Sequence, residues 1–196
     1  AFVVAEVGLN HNGSLSLAKE LVDHACASGA NCVKFQMRNM PALYRNAGDP
    51  DDIREDVAAQ YVLEILARSQ LSTQEMFDVF DYCKKNGVLP LCTPWDLPSV
   101  SALEEYGVQA YKTSSADLTN HDLIAAVAQT GKPMLVSTGM SAEHEIEETV
   151  ALLKDLGADY VLLHSNATYP TPFKDVDLNY LERLRAIGDC PVGYSG

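Results

Sequence analysis

The sequence predicts an α/β fold of the (β/α)8 TIM-barrel class, truncated after its seventh strand. Three observations carry this. Seven short apolar or β-branched runs alternate with segments of helical spacing. Each run offers a polar side chain at its C-terminal end, and no Gly-x-Gly-x-x-Gly or Walker-type loop follows the first run. An open doubly wound sheet also alternates strands and helices, but it gathers its ligands at one switch point, whereas a barrel brings every strand end to one mouth.

The expected strands are Phe2-Val7, Cys32-Gln36, Val88-Thr93, Ala110-Ser114, Met134-Thr138, Tyr160-Ser165 and Pro191-Ser195. Between them, Leu17, Leu21 and Ala25 share one helical face, and Ile146, Val150 and Leu153 share another. Ser72 with Glu75 has the form of a capping box, and Ser141 is the expected N-cap of the helix before Gly157. Gly29, Gly87, Gly107, Gly131 and Gly157 stand where a helix ends before the next strand. The long excursion from Met37 to Ser69, with its acidic Asn46-Ala47-Gly48-Asp49-Pro50-Asp51-Asp52 stretch, is either a lid over the mouth or a solvated loop.

The 196 residues, 47% of them apolar, suit a single barrel domain over 1–196. A barrel lacking its eighth strand would expose two unpaired edges, so the natural protein is expected to continue beyond this segment. With 27 acidic against 14 basic side chains the formal charge is −13, which disfavours nucleic acid and anionic membranes as partners. No apolar run has the length of a membrane helix and no signal peptide opens the chain, so a cytoplasmic location is expected. Five scattered cysteines without a Cys-x-x-Cys pair fit reduced packing thiols.

An acidic protein that binds a phosphorylated anion must place its few cations at the ligand. Lys34 and Lys112 stand at strand ends among apolar or small residues, and Thr93, Ser115, Ser137 and Ser195 offer hydroxyl donors from other strands. Individually, each hydroxyl is as readily a helix cap, and each lysine a rim ion pair. Glu6 can pair with Lys34, position a sugar hydroxyl or move a proton. Asn10 and His11 suit capping or ligand contact. His164 is read as a hydrogen-bonded structural group, and His24, His121 and His144 as solvent-facing helical residues. Glu143, Glu145, Glu147 and Glu148 read as a helix-dipole complement, not as catalytic carboxylates.

The motifs Ala5-Glu6-Val7-Gly8-Leu9-Asn10-His11-Asn12-Gly13, Val33-Lys34-Phe35-Gln36, Cys92-Thr93-Pro94-Trp95, Ala110-Tyr111-Lys112-Thr113-Ser114-Ser115, Leu135-Val136-Ser137-Thr138-Gly139-Met140 and Tyr169-Pro170-Thr171-Pro172 run in order along the chain. As a set they resemble the sialic acid synthase family, which includes the N-acetylneuraminate, legionaminic and pseudaminic acid synthases and the spore-coat polysaccharide synthases. The resemblance implies a metal-dependent condensation of phosphoenolpyruvate with the aldehyde of an N-acetylated hexosamine, releasing phosphate and a nonulosonic acid.

Carried over by position, Lys34, Thr93, Lys112, Ser115, Ser137 and Ser195 hold phosphoenolpyruvate. Glu6, Gln36 and Tyr169 contact the sugar, with Glu6 and Lys34 the catalytic pair. The resemblance also implies a divalent metal (Mn or Mg) whose histidine ligands lie beyond Gly196, a C-terminal antifreeze-like domain, and a homodimer. The segment alone is therefore expected to be inactive. Ala167 stands where some members carry a phosphate-proximal asparagine. A Schiff-base lysine aldolase and a non-catalytic sugar-binding barrel are the competing expectations.

Overall fold

A computed structural model describes residues 1–44, 57–168 and 170–196, which form two compact units, Ala1–Val108 and Gln109–Gly196. The N-terminal unit runs β1 (Val4–Gly8), α1 (Leu15–Ala27), β2 (Cys32–Met37), α2 (Met40–Leu43), α3 (Val57–Arg68), α4 (Thr73–Lys85), β3 (Leu89–Pro94) and α5 (Leu97–Tyr106). The C-terminal unit runs β4 (Tyr111–Thr113), α6 (His121–Ala128), β5 (Met134–Ser137), α7 (Glu143–Asp155), β6 (Tyr160–Ser165), α8 (Tyr180–Gly188) and β7 (Val192–Ser195). All seven expected strands are present, with ends moved by one or two residues. The fold class is the (β/α)8 barrel carried through its seventh strand.

In the N-terminal unit β1 pairs with β2 and β2 with β3, all parallel, with Glu6 opposite Lys34 and Gln36 opposite Thr93. Side chains alternate along a strand, so this register fixes faces. Val33 and Phe35 are fully buried, and Phe35 packs on Phe80 of α4 at 5.9 Å between ring centroids. Lys34 and Gln36 therefore occupy the face of β2 turned away from the helices. α4 starts with the expected capping box: Ser72 Oγ accepts from Glu75 N, and the Glu75 carboxylate accepts from Ser72 N.

Two expectations for helices change. The buried stripe of α1 is Ala18, Val22 and Ala25; Leu17 and Leu21 flank it, half-buried. The smaller residues sit innermost, letting the helix approach its strands closely, so the inner face is one residue round from the face of the large side chains. The N-cap of α7 is Ala142, not Ser141, and the Glu145 carboxylate accepts from its amide at 2.6 Å. The acidic first turn supplies the satisfying oxygen that no hydroxyl provides.

In the C-terminal unit β4 through β7 pair in parallel, each with the next. Ile146, Val150 and Leu153 are buried as the pattern predicts. Glu143 and Glu147 pair with Arg183, tying α7 to α8. The five glycines before strands all have positive φ; at Gly107, φ 82° lets α5 end and turn directly into the approach to β4. The Asn46–Asp52 stretch and Tyr169 lie outside the described residues.

Candidate functional site

At the strand ends of the N-terminal unit, Lys34 Nζ lies 2.8 Å from Glu6 Oε2 and donates to Thr93 Oγ1 at 3.3 Å. The lysine side chain is only 6% exposed, while that of Glu6 is 43% exposed. Burying an ammonium costs several kcal/mol of desolvation, and such a pair adds little net stability. The pair stands at the strand ends, the side of a barrel on which catalytic groups are placed.

Gln36 Nε2 approaches Glu6 Oε1 at 3.5 Å, and Gln36 Oε1 accepts from Arg38 Nη2 at 2.8 Å. The Arg38 guanidinium lies over the Trp95 ring, 4.0 Å from its centroid. Register and alternation thus gather four of the expected residues, Glu6, Lys34, Gln36 and Thr93, into one hydrogen-bonded row. Gly8 leaves room for it: its φ is 54°, and a Cβ there would stand 2.7 Å from Glu6 Oε1.

Of the two readings open for each hydroxyl, helix cap or ligand donor, the cap is not what Thr93 gives, since its Oγ1 accepts from Lys34. α5 is capped instead by Asp96, whose Oδ1 accepts from Ser99 N at 2.7 Å. Ser114 does act as a cap, accepting from Ala116 N at the head of the 3-10 turn Ser115–Asp117.

The C-terminal unit holds a second cluster of different character. Lys112 pairs in register with Leu135, Ser137 with Leu163, Leu163 with Gly193, and Ser165 with Ser195. Alternation then sets Lys112, Ser137, Ser165 and Ser195 on one sheet face. Ser137 is 1% exposed, and its Oγ has no hydrogen-bond partner among the described residues. A buried hydroxyl left without a partner costs about 1–3 kcal/mol. Ser115 is half-buried beside Gly139, where a Cβ would meet Ser165 O at 2.7 Å and Ser115 Oγ at 3.0 Å.

The remaining candidates divide clearly. His11 is fully buried, its Nδ1 accepts from Gly13 N at 3.2 Å, and burial lowers its pKa. It does not cap α1, a task taken by Ser14. Asn10 folds back onto Val7 O. The His164 ring packs on Tyr180 and Tyr194, with Nε2 buried and without a partner among the described residues. The hydrogen-bonded role expected of it is therefore not what this structure gives. His24, His121 and His144 are exposed, as the helical pattern predicts.

All five cysteines are free thiols; burial pushes Cys32, Cys83 and Cys92 up to about 12, so they stay protonated. Among the described residues no three His, Cys, Asp or Glu side chains are grouped to hold a metal, and no described helix is long and apolar enough to cross a membrane. Arg38, Trp95, Gly8 and Gly139 have no place among the expected site residues. For Arg38 the signal was available: Lys34, Gln36 and Arg38 follow one another at the strand period of two.

Residues 21–196 match the model of the NeuB family. An uncharacterized protein of Methanocaldococcus jannaschii is 40% identical over 195 residues, covering 99% of this chain and 54% of the relative. The N,N'-diacetyllegionaminic acid synthase of Campylobacter jejuni is 33% identical over 98% of this chain and 59% of the relative. The crystal structure of the N-acetylneuraminic acid synthetase of Leptospira borgpetersenii superposes with a TM-score of 0.85 at 30% identity, over 98% of this chain and 64% of that one. The chain thus spans little more than half the length of the curated relatives it matches. With a family match over residues 21–196, the chain belongs to the NeuB family.

Proposed function

We propose that this chain forms the main part of the barrel of a nonulosonic acid synthase, which condenses phosphoenolpyruvate with the open-chain aldehyde of an N-acetylated hexosamine and releases phosphate. The observation that carries this is Lys34, a buried ammonium held by Glu6 and Thr93 at the strand ends. In the proposal Lys34 and Lys112 supply positive charge to the phosphate and carboxylate oxygens, with Thr93, Ser115, Ser137 and Ser195 as hydroxyl donors. Glu6, Gln36 and Tyr169 take the sugar hydroxyls, and Glu6 moves the proton. An ammonium already engaged by a carboxylate is a poor nucleophile, which favours this reading over a Schiff-base aldolase working through Lys34.

The divalent ion (Mn or Mg) expected for this chemistry would supply Lewis-acid polarisation of the aldehyde. Among the described residues no three His, Cys, Asp or Glu side chains are grouped to hold it. The homodimer and the cytoplasmic location belong to the same proposal. The test is phosphate release by the full-length protein. Release should require phosphoenolpyruvate, an acetamido aldose and a divalent ion together. Turnover persisting after chelation and dialysis, or a borohydride-trapped lysine adduct, would contradict it.

A further inference from the structure

Arg38 belongs to a row of side chains that changes polarity at every step. Its Nη2 donates to Gln36 Oε1 at 2.8 Å, Gln36 Nε2 faces Glu6 Oε1 at 3.5 Å, and Glu6 Oε2 meets Lys34 Nζ at 2.8 Å. A guanidinium has only donors and a carboxylate only acceptors, so the amide between them satisfies both in one orientation alone. The contact to Glu6 is at the outer limit of a hydrogen bond. Oε1 therefore keeps accepting capacity on a side chain that is 43% exposed.

Arg38 itself is fixed from both sides. Trp95 N donates to Met37 O at 3.1 Å, and Asn39 N donates to Asp96 Oδ2 at 2.7 Å. Between these anchors the guanidinium lies 4.0 Å over the Trp95 ring, a flat stack that a lysine would not reproduce. We propose that Arg38 is a positioning residue for the sugar end of the site. By holding the Gln36 carboxamide in one orientation, it aims both amide hydrogens inward and leaves Glu6 Oε1 to accept a hydroxyl of the incoming polyol. The inference rests on the synthase proposal in taking a hexosamine as the ligand at Glu6.

Two measurements on the full-length protein test it. In steady-state kinetics, Arg38→Met should raise KM for the N-acetylated hexosamine about tenfold, while KM for phosphoenolpyruvate stays within about twofold. Arg38→Lys should fall between the two, because it restores a donor without the stack. An unchanged hexosamine KM in Arg38→Met, or both KM values rising together, overturns the proposal. If Arg38→Met fails to fold, Trp95→Phe, which keeps the guanidinium and shrinks its platform, should give a smaller shift in the same direction; no shift overturns it.

The second measurement needs no turnover. Selective glutamine ¹⁵N labelling, with Gln36→Glu identifying the resonance, should find a dispersed, slowly exchanging Gln36 side-chain amide that moves to free-amide positions in Arg38→Met. A free-amide Gln36 in the unmodified protein overturns the positioning role. A fixed amide in a protein that consumes no hexosamine would instead sink the synthase proposal and leave Arg38 as the holder of Gln36.

Discussion

The two units carry strand-end clusters that differ in how far their polar groups are already partnered. In the N-terminal unit Lys34 is engaged by Glu6 and Thr93, and Glu6 by Gln36 as well. In the C-terminal unit the register aligns Lys112 with Ser137, Ser165 and Ser195, and the Ser137 hydroxyl is buried without a partner among the described residues. A closed network holds its geometry before anything binds. A cluster with an unanswered donor gives up stability that only an arriving acceptor returns. In the proposed reading the first cluster offers the polyol its exposed Glu6 carboxylate and the anion its preset Lys34 ammonium, and the second offers the anion Lys112 and the Ser137 hydroxyl.

Substitutions that cut each cluster should separate these roles. The largest effect is expected for Lys112→Met, which should lower phosphoenolpyruvate affinity by about 100-fold or more in calorimetric titration, with an unchanged circular dichroism spectrum. Unchanged affinity would break the contrast. The pair in the N-terminal unit should respond asymmetrically in thermal melts. Glu6→Gln strands the buried ammonium and should cost about 3 kcal/mol, whereas Lys34→Met leaves a carboxylate that water can reach and should cost about 1 kcal/mol. Equal costs would mean that burial does not distinguish the partners.

Ser137→Ala should act in two directions. Removing an unpartnered buried hydroxyl should leave the melting temperature unchanged or raise it, a gain of up to about 1 kcal/mol, while phosphoenolpyruvate affinity falls about tenfold. A destabilised variant with full affinity would show that the hydroxyl serves packing.

The smallest effect concerns His11. Burial holds its folded pKa below the ordinary value, so the unfolded chain takes up the proton first. The stability it contributes is fully present above about pH 6.5 and is lost as pH falls through the lowered folded value. His11→Asn, which keeps an acceptor near Gly13 N, should flatten the dependence of the melting temperature between pH 7 and 5 by about 1–3 °C. An unchanged slope would place the acid sensitivity elsewhere.

Strand positions were legible because apolar runs and their bounding glycines are local signals, and all seven runs became strands. The strand-end residues were legible as candidates for the same reason. Their partners were not: only the parallel register sets Gln36 against Thr93 and Ser165 against Ser195, thirty or more residues apart. Spacing shows that Leu17 and Leu21 share a face of α1 but not that Ala18 and Val22 lie innermost, and Ser141 loses the cap to Ala142 because the Glu145 carboxylate accepts from the Ala142 amide. Arg38 continues the period of two set by Lys34 and Gln36, but only the fold brings Trp95, distant in sequence, beneath its guanidinium.

The most direct test is a crystal structure of the full-length protein with phosphoenolpyruvate bound. The phosphate and carboxylate oxygens should lie within about 3 Å of Lys34 Nζ and Lys112 Nζ, with Ser137 Oγ donating to one of them. A ligand that engages only one of the two lysines, or that sits elsewhere with the Ser137 hydroxyl still unpartnered, would contradict the assignment.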